Sequence, residues 1–157
     1  VKQGFRLYNK VNKQWLEDYN IVEFGALAIR KGRLAEGATL KVNTENAAKG
    51  VAWVKDGEYK LWEDLGDSYT FTAVLIGIRE KFYAEDYSVV TYAKDKDGNY
   101  IYGEVQDLCV YSVVESILAS STASEQDVAT ANAVIAQAVA AKAEDSSVVT
   151  YEEWKNS

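Results

Sequence analysis

The strongest constraint in this chain is a change of apolar period near Tyr111. Before it, apolar residues recur at every second position in short runs broken by Gly, Asp and Asn; after it, they recur at three and four. A period of two belongs to strands and a period near 3.6 to helices, so residues 1–111 are expected to be β-structure and residues 112–157 a helical segment packed on it, as one domain. Gly4 to Val11 is half-apolar, whereas Val22 to Ile29 is apolar on nearly both faces. Ser68 to Ile78 alternates throughout, with Tyr69, Phe71, Ala73 and Leu75 on one face and Thr70, Thr72, Val74 and Ile76 on the other, and is expected to be a central strand. Asp56-Gly57 and Asp97-Gly98 supply the positive φ angles of tight turns. They predict hairpins over 51–62 and 88–102, and residues 104–111 are expected to form a last strand. The count is about eight strands, an antiparallel β-sandwich of mainly β class.

The helical segment carries its own punctuation. Ser112 with Glu115, Thr122 with Glu125 and Thr150 with Glu153 each match the capping box, in which a hydroxyl and a carboxylate three residues on satisfy free backbone amides. Val128, Ala131, Val134, Ile135, Ala138 and Val139 form an apolar stripe, with Glu125 and Asp127 at the start and Lys142 at the end, as the helix dipole favours. If exposed, that stripe would be a docking face for a neighbouring module. The pentapeptide Ser-Val-Val-Thr-Tyr occurs at 88–92 and again at 147–151, which reads as coincidence rather than a repeat.

Composition removes function classes. Lys+Arg 17 against Asp+Glu 24 gives a net charge of −7, the wrong sign for a nucleic-acid backbone or an anionic membrane. His is 0, which removes the commonest general base and transition-metal ligand, and with them Ser-His-Asp and Cys-His chemistry. One cysteine forbids an internal disulfide, and Cys109 beside Leu108 and Val110 reads as a small buried hydrophobe. No apolar run is long enough to span a membrane. Met and Pro are both 0; without Met, Val1 is not an initiator end, and the chain is expected to be a fragment or a processed product.

Several segments, taken in order, resemble a known type of module. They are Phe5-Arg-Leu7, Tyr19-Asn-Ile-Val-Glu-Phe-Gly25, Lys49-Gly-Val-Ala-Trp53, Phe71-Thr-Ala-Val-Leu-Ile-Gly-Ile78, Tyr92-Ala93, Tyr102-Gly103 and Val110-Tyr-Ser-Val113. The type is an uncharacterised β-sandwich module of large secreted and cell-wall proteins of Gram-positive gut bacteria. The resemblance spans roughly residues 4 to 120 and departs at Ser112-Val113, where Asp-Val is usual. It implies a secreted or cell-wall-associated unit, architectural or adhesive, with neighbouring modules of a larger surface protein as partners. It brings no catalytic or cofactor-binding residues.

Three constellations are candidates for chemistry. Trp53, Tyr59 and Trp62 are placed on one predicted hairpin, where flat rings beside Glu58, Glu63 or Asp64 suit stacking against sugar faces, so polysaccharide or host glycan is the alternative ligand. Asp95, Asp97, Asn99 and Glu104 supply the oxygen ligands calcium needs, but Gly98 and Glu104 fall at the fourth and tenth places rather than the sixth and twelfth of an EF-hand, and a hairpin tip accounts for them. Glu17/Asp18, Asp64/Asp67 and Glu85/Asp86 are carboxylate pairs of the kind glycoside hydrolysis uses. Sequence neighbours are not spatial pairs, so no catalytic residue, metal ligand or cofactor is assigned. Arg30-Lys31-Gly32-Arg33 reads as a solvated basic turn.

Overall fold

The computed structural model describes residues 3–57 and 62–157. The chain is mainly strand, in antiparallel sheets, with helices at the C-terminal end. Its strands are β1 (Gln3–Asn12), β2 (Ile21–Arg30), β3 (Ala48–Val54), β4 (Trp62–Asp64), β5 (Ser68–Ile78), β6 (Tyr87–Asp95), β7 (Tyr100–Tyr102) and β8 (Gln106–Leu108). One sheet has the order β1-β5-β4; the other has β3-β2-β6-β7, with β8 also paired to β6. The helices are α1 (Lys13–Asp18), α2 (Val110–Ala119), α3 (Glu125–Glu144) and α4 (Tyr151–Lys155). The chain divides into two compact units. The larger holds Phe5–Leu75 and Tyr87–Asp107; the smaller holds Ile76–Asp86 and Leu108–Ser157 with the start of β1.

In the larger unit β2 is covered on both faces, which is why its sequence is apolar on both. Ile21 and Phe24 join Leu16, Ala52, Phe71 and Ala93 in one cluster, while Leu27 and Ile29 join Leu40, Val90 and Tyr92 in another. Strict alternation would send Ile21 and Phe24 to opposite faces. A bulge at Val22, where two β2 residues oppose one on β6, restores them to the same side. The second cluster is closed by Leu34, Val42 and Ala47 from the long connection between β2 and β3.

The hairpin expected over 51–62 is not what forms. The chain does turn at Asp56, with φ 60° and the Gly57 amide donating to the Val54 carbonyl at 3.0 Å. Its flanks then go to different sheets: β3 pairs with β2, and β4 pairs with β5. Residues 58–61, including Glu58 and Tyr59, lie outside the described residues. The second hairpin does form, β6 pairing with β7 around Gly98 at φ 86°.

The last strand is shorter than expected, because a helix takes over at Val110. Cys109 is its N-cap: the Cys109 sulfur accepts from the Ser112 amide at 3.3 Å, and the Ser112 hydroxyl oxygen accepts from the Cys109 amide at 3.2 Å. The box expected at Ser112–Glu115 is therefore displaced by three residues, and Cys109, though buried, is not in a strand. Likewise Ser124, not Thr122, caps α3. The box at Thr150–Glu153 forms as expected. Along α3 the stripe narrows to Ala131, Val134 and Ala138; Val139, about 100° further round the helix than Ala138, is 56% exposed. No described helix is long and apolar enough to cross a membrane.

The smaller unit is organised by tyrosines. Tyr111 meets Tyr83 edge-on at 5.8 Å and Tyr151 at 5.7 Å, and its hydroxyl donates to the Val149 carbonyl at 2.5 Å. The Tyr83 hydroxyl bonds the Gln137 side chain at 3.2 Å. The buried Tyr111 and Tyr83 rings thus each keep a partner for the polar end.

Candidate functional site

Trp53 owes its position to a second bulge. Phe24 pairs with Trp53 but Gly25 pairs with Val51, so Ala52 is an extra residue on β3, and Ala52 and Trp53 both turn toward the Phe24 cluster. The Trp53 ring stacks on Phe24 at 5.2 Å with an interplanar angle of 12°, and Phe24 lies 4.8 Å from Phe71 of β5. The bulge needs Gly25 and Gly50 in contact, since a Cβ on Gly25 would stand 2.0 Å from the Gly50 carbonyl oxygen.

Tyr69 completes the arrangement. It lies 6.2 Å from Trp53 and 4.7 Å from Trp62, which meets it nearly edge-on. The two tryptophans, half-buried on different sheets, are therefore brought together through Tyr69 rather than by a shared hairpin. The sequence places Tyr69 on a strand face but carries no signal that it bridges two sheets; that depends on which strands face each other.

A short helix that the sequence reading passes over supplies the polar side. Asn12 caps α1 by accepting from the Trp15 amide at 3.1 Å, and Trp15 and Tyr19, one turn apart, pair at 5.3 Å. Asn20 follows in the left-handed region at φ 54°, a usual exit from a helix, and its carbonyl accepts from the Lys96 amide at 2.9 Å. Lys13 reaches over the Tyr69 ring, 4.8 Å from its centre, and pairs with Asp64 at 2.6 Å. That bond raises the Lys13 ammonium's pKa; the same bond and the Gly66 amide lower that of Asp64.

Beside the rings lies a cleft of about 370 Å³, floored by Leu16 and Ile21 and lined by Trp53, Tyr69, Lys13, Glu17, Asn20 and Lys55. An aromatic wall with convergent donors and acceptors is what a polyhydroxylated ligand requires. No protein family matches the chain, and no curated protein or solved structure matches it either.

The other constellations are accounted for locally. The Asp95 carboxylate accepts from the amides of Asp97 and Asn99, both at 2.9 Å, and from the Asn99 side chain, bonds that close the hairpin tip and hold its pKa low. Among the described residues no three acidic or cysteine side chains are grouped to hold a metal. Of the carboxylate pairs, Glu17 lines the cleft, Asp18 accepts from Gln14 at 2.9 Å and Asp64 is taken by Lys13. Lys31 is not simply solvated: it pairs with Asp107 at 2.6 Å, and Asp107 also accepts from the buried Ser88 hydroxyl at 2.9 Å. On the opposite face of β2, the Tyr92 hydroxyl donates to Glu23 at 2.7 Å while Lys49 approaches at 3.2 Å. Burial alone would raise the Glu23 carboxyl, but these two partners bring it below its ordinary value; burial and the same bond push the Tyr92 phenol well above its own.

Proposed function

We propose that the chain is a non-catalytic, exported surface module, an adhesive unit of the Gram-positive secreted and cell-wall type it resembles. In this reading the two sheets form a β-sandwich, and carbohydrate binds along Trp53, Tyr69 and Trp62. The observation that carries it is the row of three half-buried rings running beside a cleft that offers Lys55, Asn20 and Glu17 as hydroxyl partners. Sugar faces are apolar and stack on such rings, while their edges take hydrogen bonds from neighbouring polar groups. A non-catalytic role is supported by how the carboxylates are engaged: Asp64 is held by Lys13, Asp107 by Lys31 and Ser88, and Glu23 by Lys49 and Tyr92.

The test is a tryptophan-fluorescence titration against plant, host-mucin and bacterial-wall polysaccharides. It is run on the native protein and on Trp53→Ala and Trp62→Ala variants shown by circular dichroism to be folded. Saturable quenching that weakens in both variants is expected. Silence across the panel from the folded native protein overturns the sugar reading and leaves an architectural unit contacting neighbouring modules.

A further inference from the structure

Phe24 and Phe71 also line a second cleft, of about 420 Å³, at some remove in chemistry from the first. Its apolar wall is Val11, Trp15, Phe24, Phe71, Ala93 and Ile101, drawn from both sheets and from α1. Its volume falls in the range of small-molecule sites, and its lining has their usual character, mostly apolar with a few polar groups. In a chain of 24 Asp and Glu and net charge −7, no carboxylate among the described residues lines this space. The charged side chain on its wall is Lys10, which has no ion-pair partner among the described residues. The cleft also offers side-chain donors. The side-chain oxygen of Asn12 is committed to the Trp15 amide, which leaves its NH₂ to donate, and Thr91 adds a hydroxyl. An apolar trough with donors and a cation at its lip is complementary to one ligand chemistry.

We propose that this cleft binds a small hydrophobic carboxylate, with an aliphatic or aromatic body of about ten carbons lying against Phe24, Phe71 and Ile101 and its carboxylate at Lys10 and Asn12. With no carboxylate of the described residues in the cleft to compete for it, Lys10 is left to pair with the carboxylate of a ligand. The site is independent of the aromatic row, and either assignment stands if the other falls.

The experiment is calorimetric titration of the full chain with decanoate below its micelle concentration and with 1-decanol as the uncharged counterpart. Decanoate is expected to bind saturably at one site, with 1-decanol weaker by about three- to fivefold, the discrimination a solvent-exposed ion pair supplies. Lys10→Gln should abolish that discrimination. Ile101→Glu, at a position already 38% exposed and so tolerant of charge, should eliminate decanoate binding with the circular dichroism spectrum unchanged. Trp62→Ala should bind decanoate as the native protein does. Absence of saturable decanoate binding, equal affinity for decanol, or indifference to Lys10→Gln each overturns the proposal. So does binding of an extended apolar-acidic decapeptide without decanoate, which would assign the cleft to strand addition along β1 or β7.

Discussion

Replacing Gly25 by alanine tests the account of how Trp53 is positioned. The new Cβ would lie 2.0 Å from the Gly50 oxygen, inside the 3.0 Å below which such contacts are essentially never seen, and 3.0 Å from the Tyr92 ring. The obstacle is backbone rather than a side chain that can rotate, so β2 and β3 must separate by about 1 Å at the bulge. Overpacking of this kind costs about 1–3 kcal/mol, and losing a ladder hydrogen bond adds about 1 kcal/mol, so about 2–4 kcal/mol is expected. In urea this lowers the midpoint by about 1–2 M. Unfolding followed by tryptophan emission reports chiefly on the larger unit, since Trp15, Trp53 and Trp62 lie there and only Trp154 lies outside it. Gly50→Ala is the control, because its Cβ meets nothing within 4 Å; it should stay within about 0.5 kcal/mol of the native protein. If Gly25→Ala is as mild as Gly50→Ala, the bulge geometry is wrong and with it the derivation of Trp53's placement.

Three further outcomes are expected. Gly103→Ala places a Cβ 2.4 Å from the Thr91 hydroxyl oxygen, a side-chain atom, so it should cost about 1–2 kcal/mol, and Thr91→Ala in the same chain should recover most of that in a double-mutant cycle. Glu23 is held below its ordinary value in the folded state, so its contribution is present at neutral pH and fades as pH falls through that lowered value; Glu23→Gln should flatten the acid limb of stability against pH measured by urea midpoints. Burial pushes the Tyr83 phenol up to about 12, so its contribution is complete below pH 10 and is lost as pH rises toward 12. Tyr83→Phe should accordingly move alkaline unfolding, followed by tyrosinate absorbance, to higher pH, and an unmoved transition would show that Tyr83 is not limiting.

Much of the local structure is legible in the residues. The alternation over Ser68–Ile78 gives β5 with its bounds, and Asp97-Gly98 gives the β6–β7 hairpin. Thr150 with Glu153 gives the start of α4. At the start of α2 the local pattern is not enough: Ser112–Glu115 matches the capping box, yet the helix starts at Cys109–Ser112, a pair outside that pattern. The site is less legible. Trp53 and Trp62 stand out as aromatics, but the ring between them, Tyr69, comes from a third strand, and Lys13 comes from a helix of only six residues that leaves little periodicity to read.

The clearest division is drawn by five residues that occur twice. Ser88-Val-Val-Thr-Tyr92 is continuous strand in β6, with Val89, Val90 and Tyr92 all buried. Ser147-Val-Val-Thr-Tyr151 is a turn and the first residue of α4, with Val148 buried and Val149 38% exposed. The residues alone give both copies apolar positions to bury and give the second a cap, Thr150 with Glu153. The turn signal at Asp97-Gly98 already marks the first copy as strand; its partners were settled by the fold, β2 pairing along all five residues while β7, which meets Tyr92, and β8 also pair with β6. β-branched residues accept either conformation at small cost, and the partners that satisfy their backbone amides settle which one is adopted.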